Sequence, residues 1–291
     1  MADLIQYKQL IVENFDKLTK NQKKIAQFFI DHPEEFAFSS IDSLAKQLEV
    51  GKSTIVRLAK VLGYDGFLEL KIELSNKLRG DLSQTKKFTE TLKSLSPRAD
   101  FISLISNKEI ENIRSTVEKI DKDVFNKAVQ IFIAANNIYT LGSGVSAFLS
   151  EMAAYYFNRM NMKTKAFTHG SVNFEEQIIS LKKDDALLII TLPPYSYAAV
   201  EAAEAARYRG IKIVSITDRI TSPISQFSDI VFTCDTDNIV FVNTVSSILA
   251  IIYILTTGIG LSDRTTSLTS LSLLEKVESE YGFDIHSEFF K

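Results

Sequence analysis

From about residue 4 to residue 78, apolar side chains recur every three to four positions, the period of one face of a helix. Leu4 to Phe15 and Lys20 to Ile30 carry this pattern, the second through Ile25, Phe28 and Phe29. Asp31-His32-Pro33 is expected to end that second helix, because proline drives the residue before it out of the α region. Ser39 to Leu62 then divides into two short helices: Ile41, Leu44, Ala45 and Leu48 line one, with Ser40 as its N-cap, and Ile55, Leu58 and Leu62 line the other. After a Gly63-Tyr64-Asp65-Gly66 turn, Phe67 to Leu78 closes an all-α domain over residues 1–80.

Residues 81–105 are polar, include Pro97, and read as a linker. Beyond Ser106 helical stretches alternate with short β-branched runs at Asn137 to Leu141, Thr164 to Phe167, Ala186 to Thr191, Ile211 to Thr217 and Asp229 to Cys234. Nearly continuous apolar strands separated by amphipathic segments such as Ser196 to Tyr208 indicate a parallel sheet covered on both faces. Residues 106–262 are therefore expected to form a doubly wound α/β domain with a five-stranded parallel sheet, and 263–291 a helical tail. Asn238 to Ser262 is free of formal charge for 25 residues, long enough to span a bilayer, but its Asn, Ser and Thr content and its acidic flanks favour a buried helix in a soluble protein.

Composition narrows the function classes. The 291 residues are 45% hydrophobic and 24% charged, as in ordinary globular proteins, and the single cysteine, Cys234, precludes an intramolecular disulfide or a Cys-rich metal site. No signal peptide is visible at the N-terminus, so a cytoplasmic location is expected. Residues 1–80 hold 12 Lys and Arg against 11 Asp and Glu, so bulk charge does not announce a nucleic-acid binder. Local charge does. The helix Lys52 to Leu62 has three basic residues and no acidic one, and the side opposite Ile55 carries Ser53, Arg57 and Lys60, with Lys52 and Thr54 in its first turn. Short polar groups for base edges beside cations for phosphates are what a recognition helix needs, and small Ala45 lets the two helices cross closely.

In the second domain, Gly142-Ser143-Gly144-Val145-Ser146 follows a strand and opens a helix, where backbone N–H groups and hydroxyls can receive an anion. Alone, this loop is compatible with a phosphate or sugar phosphate, with a dinucleotide, since Ala147 occupies the third glycine position of G-x-G-x-x-G, or with a structural turn. His169 and the loop Thr191 to Ser196, including Tyr195, also follow strands and are expected to converge with it at the carboxyl edge of the sheet. Glu175 and Glu176 sit at a helix start, where acids favour the dipole without any catalytic role, and Cys234 is expected only to pack.

Leu18-Thr-x-x-Gln22-x-x-Ile25, Ser43-Leu44-Ala45, Ser53-Thr54-Ile55-Val56-Arg57-Leu58 and Leu62-Gly63-Tyr64-x-Gly66-Phe67-x-Glu69-Leu70-Lys71 resemble the N-terminal domain of the RpiR family of bacterial transcription regulators. Residues 111–258 look like a SIS (sugar isomerase) domain, the phosphosugar-binding module that accompanies it. The resemblance implies a regulator, not an enzyme, that binds operator DNA and senses a phosphorylated sugar, acts as a homodimer or homotetramer, and needs no cofactor or metal. A sugar phosphate isomerase on the same fold is the alternative. The chain departs from the family at Gly51, a tolerated N-cap, and at Pro193, Pro194 and Ala198, where the second binding loop commonly has Ser, Gly and Glu; the prolines remove backbone donors from that loop.

Overall fold

The computed structural model describes residues 10–81, 100–168, 172–238 and 243–264, together with 268, 269, 271–273, 275 and 276. The described residues of the N-terminal region form helices joined by short turns. A stretch at 10–14 and a 3-10 turn at Phe15–Lys17 lead into α1 (Lys20–Asp31), α2 (Pro33–Phe38), α3 (Ile41–Gln47), α4 (Lys52–Val61) and α5 (Phe67–Asp81). A capping box starts α1: Thr19 Oγ1 accepts from the Gln22 N–H while Gln22 Oε1 accepts from the Thr19 N–H. Ser40 caps α3 as its position suggested, accepting from the Ser43 N–H at 3.1 Å. The proline expected only to stop α1 also begins α2, since an N1 residue has no intrahelical partner for the N–H that proline lacks.

The second domain contains α6 (Phe101–Glu118), α7 (Lys122–Ala134), β1 (Ile138–Gly142), α8 (Val145–Arg159), β2 (Thr164–Phe167), α9 (Phe174–Ile179), β3 (Ala186–Ile190), α10 (Tyr197–Tyr208), β4 (Lys212–Thr217), β5 (Ile230–Thr233) and α11 (Ser246–Ser262). α6 begins inside the stretch read as linker, because Asp100 accepts from the Ser103 N–H and caps it; residues 82–99 and most of the tail lie outside the described residues. All five strands are parallel, in the order β2-β1-β3-β4-β5. Ala186, Leu188 and Ile190 join one core with α7, α8 and α11, whereas Leu187 and Ile189 join another with α9 and α10. That second core continues without a break into the helical domain, from Ile11 and Phe29 to Leu70 and Leu74.

The seam between domains is therefore packed. Phe38, the last residue of α2, stands edge-on to Tyr195 at 5.8 Å, and Ser40 Oγ donates to Glu204 on α10 at 2.8 Å. Lys71 of α5 is only 3% exposed; its ammonium donates to the Tyr197 hydroxyl and lies 4.0 Å from the centre of the Tyr197 ring. The uncharged segment forms α11, whose Ile248, Ile251, Ile252, Leu255 and Ile259 are buried. Among the described residues no helix is long and apolar enough to cross a membrane.

Placing a charge in that buried stripe must cost far more than placing one outside it. Ile251→Lys, at a position 1% exposed, is expected to lose more than about 4 kcal/mol and with it the folded domain. Leu261→Lys, at a 63% exposed position on the same helix, should leave thermal melting by circular dichroism nearly unchanged.

Candidate functional site

Two surfaces carry the residues singled out from the sequence. On the helical domain, the apolar stripe of α4 sends Ile55, Leu58 and Ala59 into the core and leaves Lys52, Ser53, Arg57 and Lys60 exposed, with Thr54 half-buried. Lys52 pairs with Asp42 of α3, while Arg57 and Lys60 lie further along α4, a helix that contains no acidic residue. Arg57 and Thr54 share a notch of about 280 Å³ with Thr19, Lys20, Asn21 and Gln22 at the start of α1. Lys20 thus stands beside the exposed face of α4, a neighbour that no helical periodicity reports because it belongs to another element.

On the second domain, parallel pairing brings the ends of β1, β2 and β3 to one edge. Here β1 turns so tightly into α8 that a Cβ on Gly142 would fall 2.1 Å from the Ser146 carbonyl oxygen, which only glycine avoids. Gly144 caps α8 with φ +63°. Ser143 is half-buried and Ser146 buried beneath the turn. Across the edge, Thr191 is buried and its Oγ1 has no hydrogen-bond partner among the described residues, while its N–H donates to Ile216 O at 3.1 Å. Ser196 caps α10 by accepting from the Ala199 N–H at 3.4 Å. His169 lies outside the described residues.

Tyr195 is placed differently from its neighbours in that loop. Its hydroxyl donates to Asp218 Oδ1 at 2.6 Å and accepts from Arg219 Nε at 3.0 Å, and its ring lies under Phe38 of the other domain. Burial, helped by the Asp218 charge, pushes the phenol well above its ordinary range. Glu175 and Glu176 are exposed in the first turn of α9, where Asn173 accepts from the Glu176 N–H. Cys234 is buried, its Sγ donating to Thr217 O at 3.1 Å, and burial raises its thiol. No group of three His, Cys, Asp or Glu among the described residues could hold a metal ion. A larger cavity of about 900 Å³ opens at the opposite, amino edge of the sheet, lined by Asn126, Lys127, Lys183, Asp185 and Lys212. It contains none of the residues singled out from the sequence.

Residues 5–81 match the helix-turn-helix domain of the rpiR family, and residues 131–258 match the SIS domain. HexR, an HTH-type transcriptional regulator of Pseudomonas aeruginosa, is 29% identical over 259 residues, covering 86% of this chain and 88% of that one. An uncharacterized HTH-type transcriptional regulator of Haemophilus influenzae is 26% identical over 220 residues, 75% of each chain. Among solved structures, the Vibrio vulnificus NanR protein complexed with ManNAc-6P shares the fold over 94% of this chain and 98% of its own, with a TM-score of 0.60 and 17% identity. The sugar isomerase domain of an RpiR transcription factor from Sphaerobacter thermophilus does so over 61% of this chain and 99% of its own, with a TM-score of 0.59 and 20% identity.

The seam offers a titration. Burial lowers Lys71 from 10.5 to about 8, against the opposing pull of Glu201 and Glu204. Between those two values the unfolded chain holds a proton that the folded chain has released, so this group makes stability rise with pH across the window and imposes its full desolvation cost below pH 8. Lys71→Met should remove that rise: the difference in unfolding free energy between the original chain and the variant, from urea titrations at pH 7 and pH 10, is expected to change by at most about 3 kcal/mol in favour of the lysine at high pH.

Proposed function

We propose that this chain, which belongs to the RpiR family of helix-turn-helix regulators and carries a SIS domain, binds operator DNA through the outward face of α4 and senses a phosphorylated sugar at the carboxyl edge of its sheet. The observation that carries the DNA half is the division of α4 into a buried apolar stripe and an exposed face bearing Ser53, Arg57 and Lys60 without an acid. Ser53 and Thr54 are short enough to approach base edges from the helix N-terminus; Arg57, Lys60 and, from α1, Lys20 reach phosphates. The sensing half rests on the hydroxyl-lined edge. The N-terminus of α8 favours an anion, Ser143 and Ser196 supply O–H donors, and the orphaned Thr191 hydroxyl recovers a lost hydrogen bond when a polar ligand reaches it. The likeness to a protein complexed with ManNAc-6P supports the choice of a sugar phosphate.

A regulator reading two half-sites works as a dimer. One face of α8 leaves Val145, Phe148, Met152 and Tyr155 exposed at helical spacing, with Phe148 72% open, and Tyr253 of α11 is exposed as well. Such a stripe suits a second copy of the chain. In this reading the protein is a cytoplasmic regulator without catalytic function, and the Asp218 carboxylate at the edge is engaged by the Tyr195 hydroxyl.

Arg57→Ala and Lys60→Ala should each weaken binding to a duplex selected from random DNA, and each should reduce the slope of log affinity against log salt by about 1. Wild-type affinity in either variant at every salt concentration would remove that face from the reading.

For the sensor, thermal shift against hexose 6-phosphates, N-acetylmannosamine 6-phosphate and the corresponding free sugars should single out a phosphorylated compound. Ser143→Ala and Thr191→Val should then weaken it about 10- to 150-fold by calorimetry, the equivalent of roughly 1.5–3 kcal/mol for a hydrogen bond to a charged group. Thr191→Val should melt no lower than the original chain without ligand, since it deletes an unsatisfied hydroxyl. Equal response to free and phosphorylated sugars would discard the phosphate.

A further inference from the structure

We propose that Tyr195 is the positioning residue that ties the state of the carboxyl-edge loops to the orientation of the helix-turn-helix domain, its ring bearing on Phe38 and its hydroxyl held between Asp218 and Arg219. The inference rests on reading those loops as the effector site and states how occupancy there reaches the DNA.

Tyr195 belongs to the connection between β3 and α10, yet it is 2% exposed. Part of that burial comes from the other domain, through Phe38 at 5.8 Å and an interplanar angle of 89°. Asp218 and Arg219, which hold its hydroxyl at 2.6 and 3.0 Å, lie directly after β4. One side chain thus joins the β3 loop, the β4 loop and the DNA-binding domain. The same loop runs on into Ser196, the cap of α10, and α10 carries two further polar ties across the seam, Tyr197 to Lys71 and Glu204 to Ser40.

The loop is built to transmit displacement. Pro193 and Pro194 each fix φ near −65°, so few torsions between Thr191 and Tyr195 can absorb a shift, and a ligand that draws on Thr191 or Ser196 carries Tyr195 with it. Space to receive the movement exists beside it: a cavity of about 660 Å³ lies between His32, Pro33 and Glu35 of the helical domain and Arg219, Thr221 and Ser222 of the sheet domain. In the docked arrangement Ser53, Arg57 and Lys60 remain exposed, so docking is compatible with DNA. With the docked arrangement as the DNA-binding state, an effector that prefers the undocked one lowers operator affinity, and by linkage DNA lowers effector affinity by the same factor.

The test uses the full chain, a duplex selected from random DNA, and N-acetylmannosamine 6-phosphate as the probe. Phe38→Ala removes the ring partner. Tyr195→Phe keeps the ring and removes the hydroxyl, so it stays informative if the first variant melts early. Tyr208→Ala, at a 93% exposed position near the end of α10, is the control. Without ligand, Phe38→Ala should bind DNA about 10-fold more weakly, within the usual range of allosteric coupling, and Tyr195→Phe should shift in the same direction while Tyr208→Ala does not. Calorimetry should show the probe bound more tightly by Phe38→Ala than by the original chain, a gain that loss of structure cannot produce. Unchanged ligand-free DNA affinity in both seam variants would overturn the role of Tyr195. Failure of the probe to bind the original chain counts against the effector reading instead, and the ligand-free arm decides Tyr195 alone.

Discussion

Burial of the central strands on both faces is the constraint from which the rest of this architecture follows. Every residue of β3 from Ala186 to Ile190 is buried, with alternate side chains entering opposite cores. A sheet of this kind has to be covered twice. On one side α7, α8 and α11 do so, and the apolarity of α11 that resembles a membrane span is the consequence of filling that core. On the other side α10 lies against the sheet with Ala199, Ala202, Ala203 and Ala206 fully buried. Small side chains let its backbone approach other elements closely, and the flank it turns away from the strands receives the helical domain through Ser40 and Lys71.

Much of this was legible in the chain because the signals are local. Near-continuous apolar runs located all five strands to within a residue or so, and the 3.6 period located α1, α3, α4 and α5. Strand order is a long-range property and was not. The helix α2 is too short to show a period of its own, and Pro33, which marks the end of α1, is at a first helical position equally a start signal. The early beginning of α6 likewise depends on a single cap, Asp100, within polar sequence.

The candidate site divides along the same line. Which α4 residues face outward follows from 100° per residue, and the exposed positions are the expected ones. Tyr195 could be assigned to an edge loop from sequence, but nothing near it in the chain signals that Phe38, more than 150 residues earlier, covers its ring. The pairing of Lys71 with Tyr197 is hidden for the same reason. The Thr191 hydroxyl, without a partner among the described residues, is a matter of three-dimensional accounting: a polar group buried without a partner costs about 1–3 kcal/mol, which favours any polar ligand able to reach it.

The unbroken core between Ile11 and Phe227 also bears on how such a chain can be recombined. A DNA-reading head joined to its sensor by a bare tether could be transplanted at will. Here the head exposes apolar surface when cut away, and its new host would have to supply an alanine-rich helix with a tyrosine and two glutamates in register with Ser40 and Lys71. With α4 as the proposed reading helix, exchange of operator specificity is easiest at its few outward residues, leaving the head itself in place, because a change at the seam has to be matched on both sides of it.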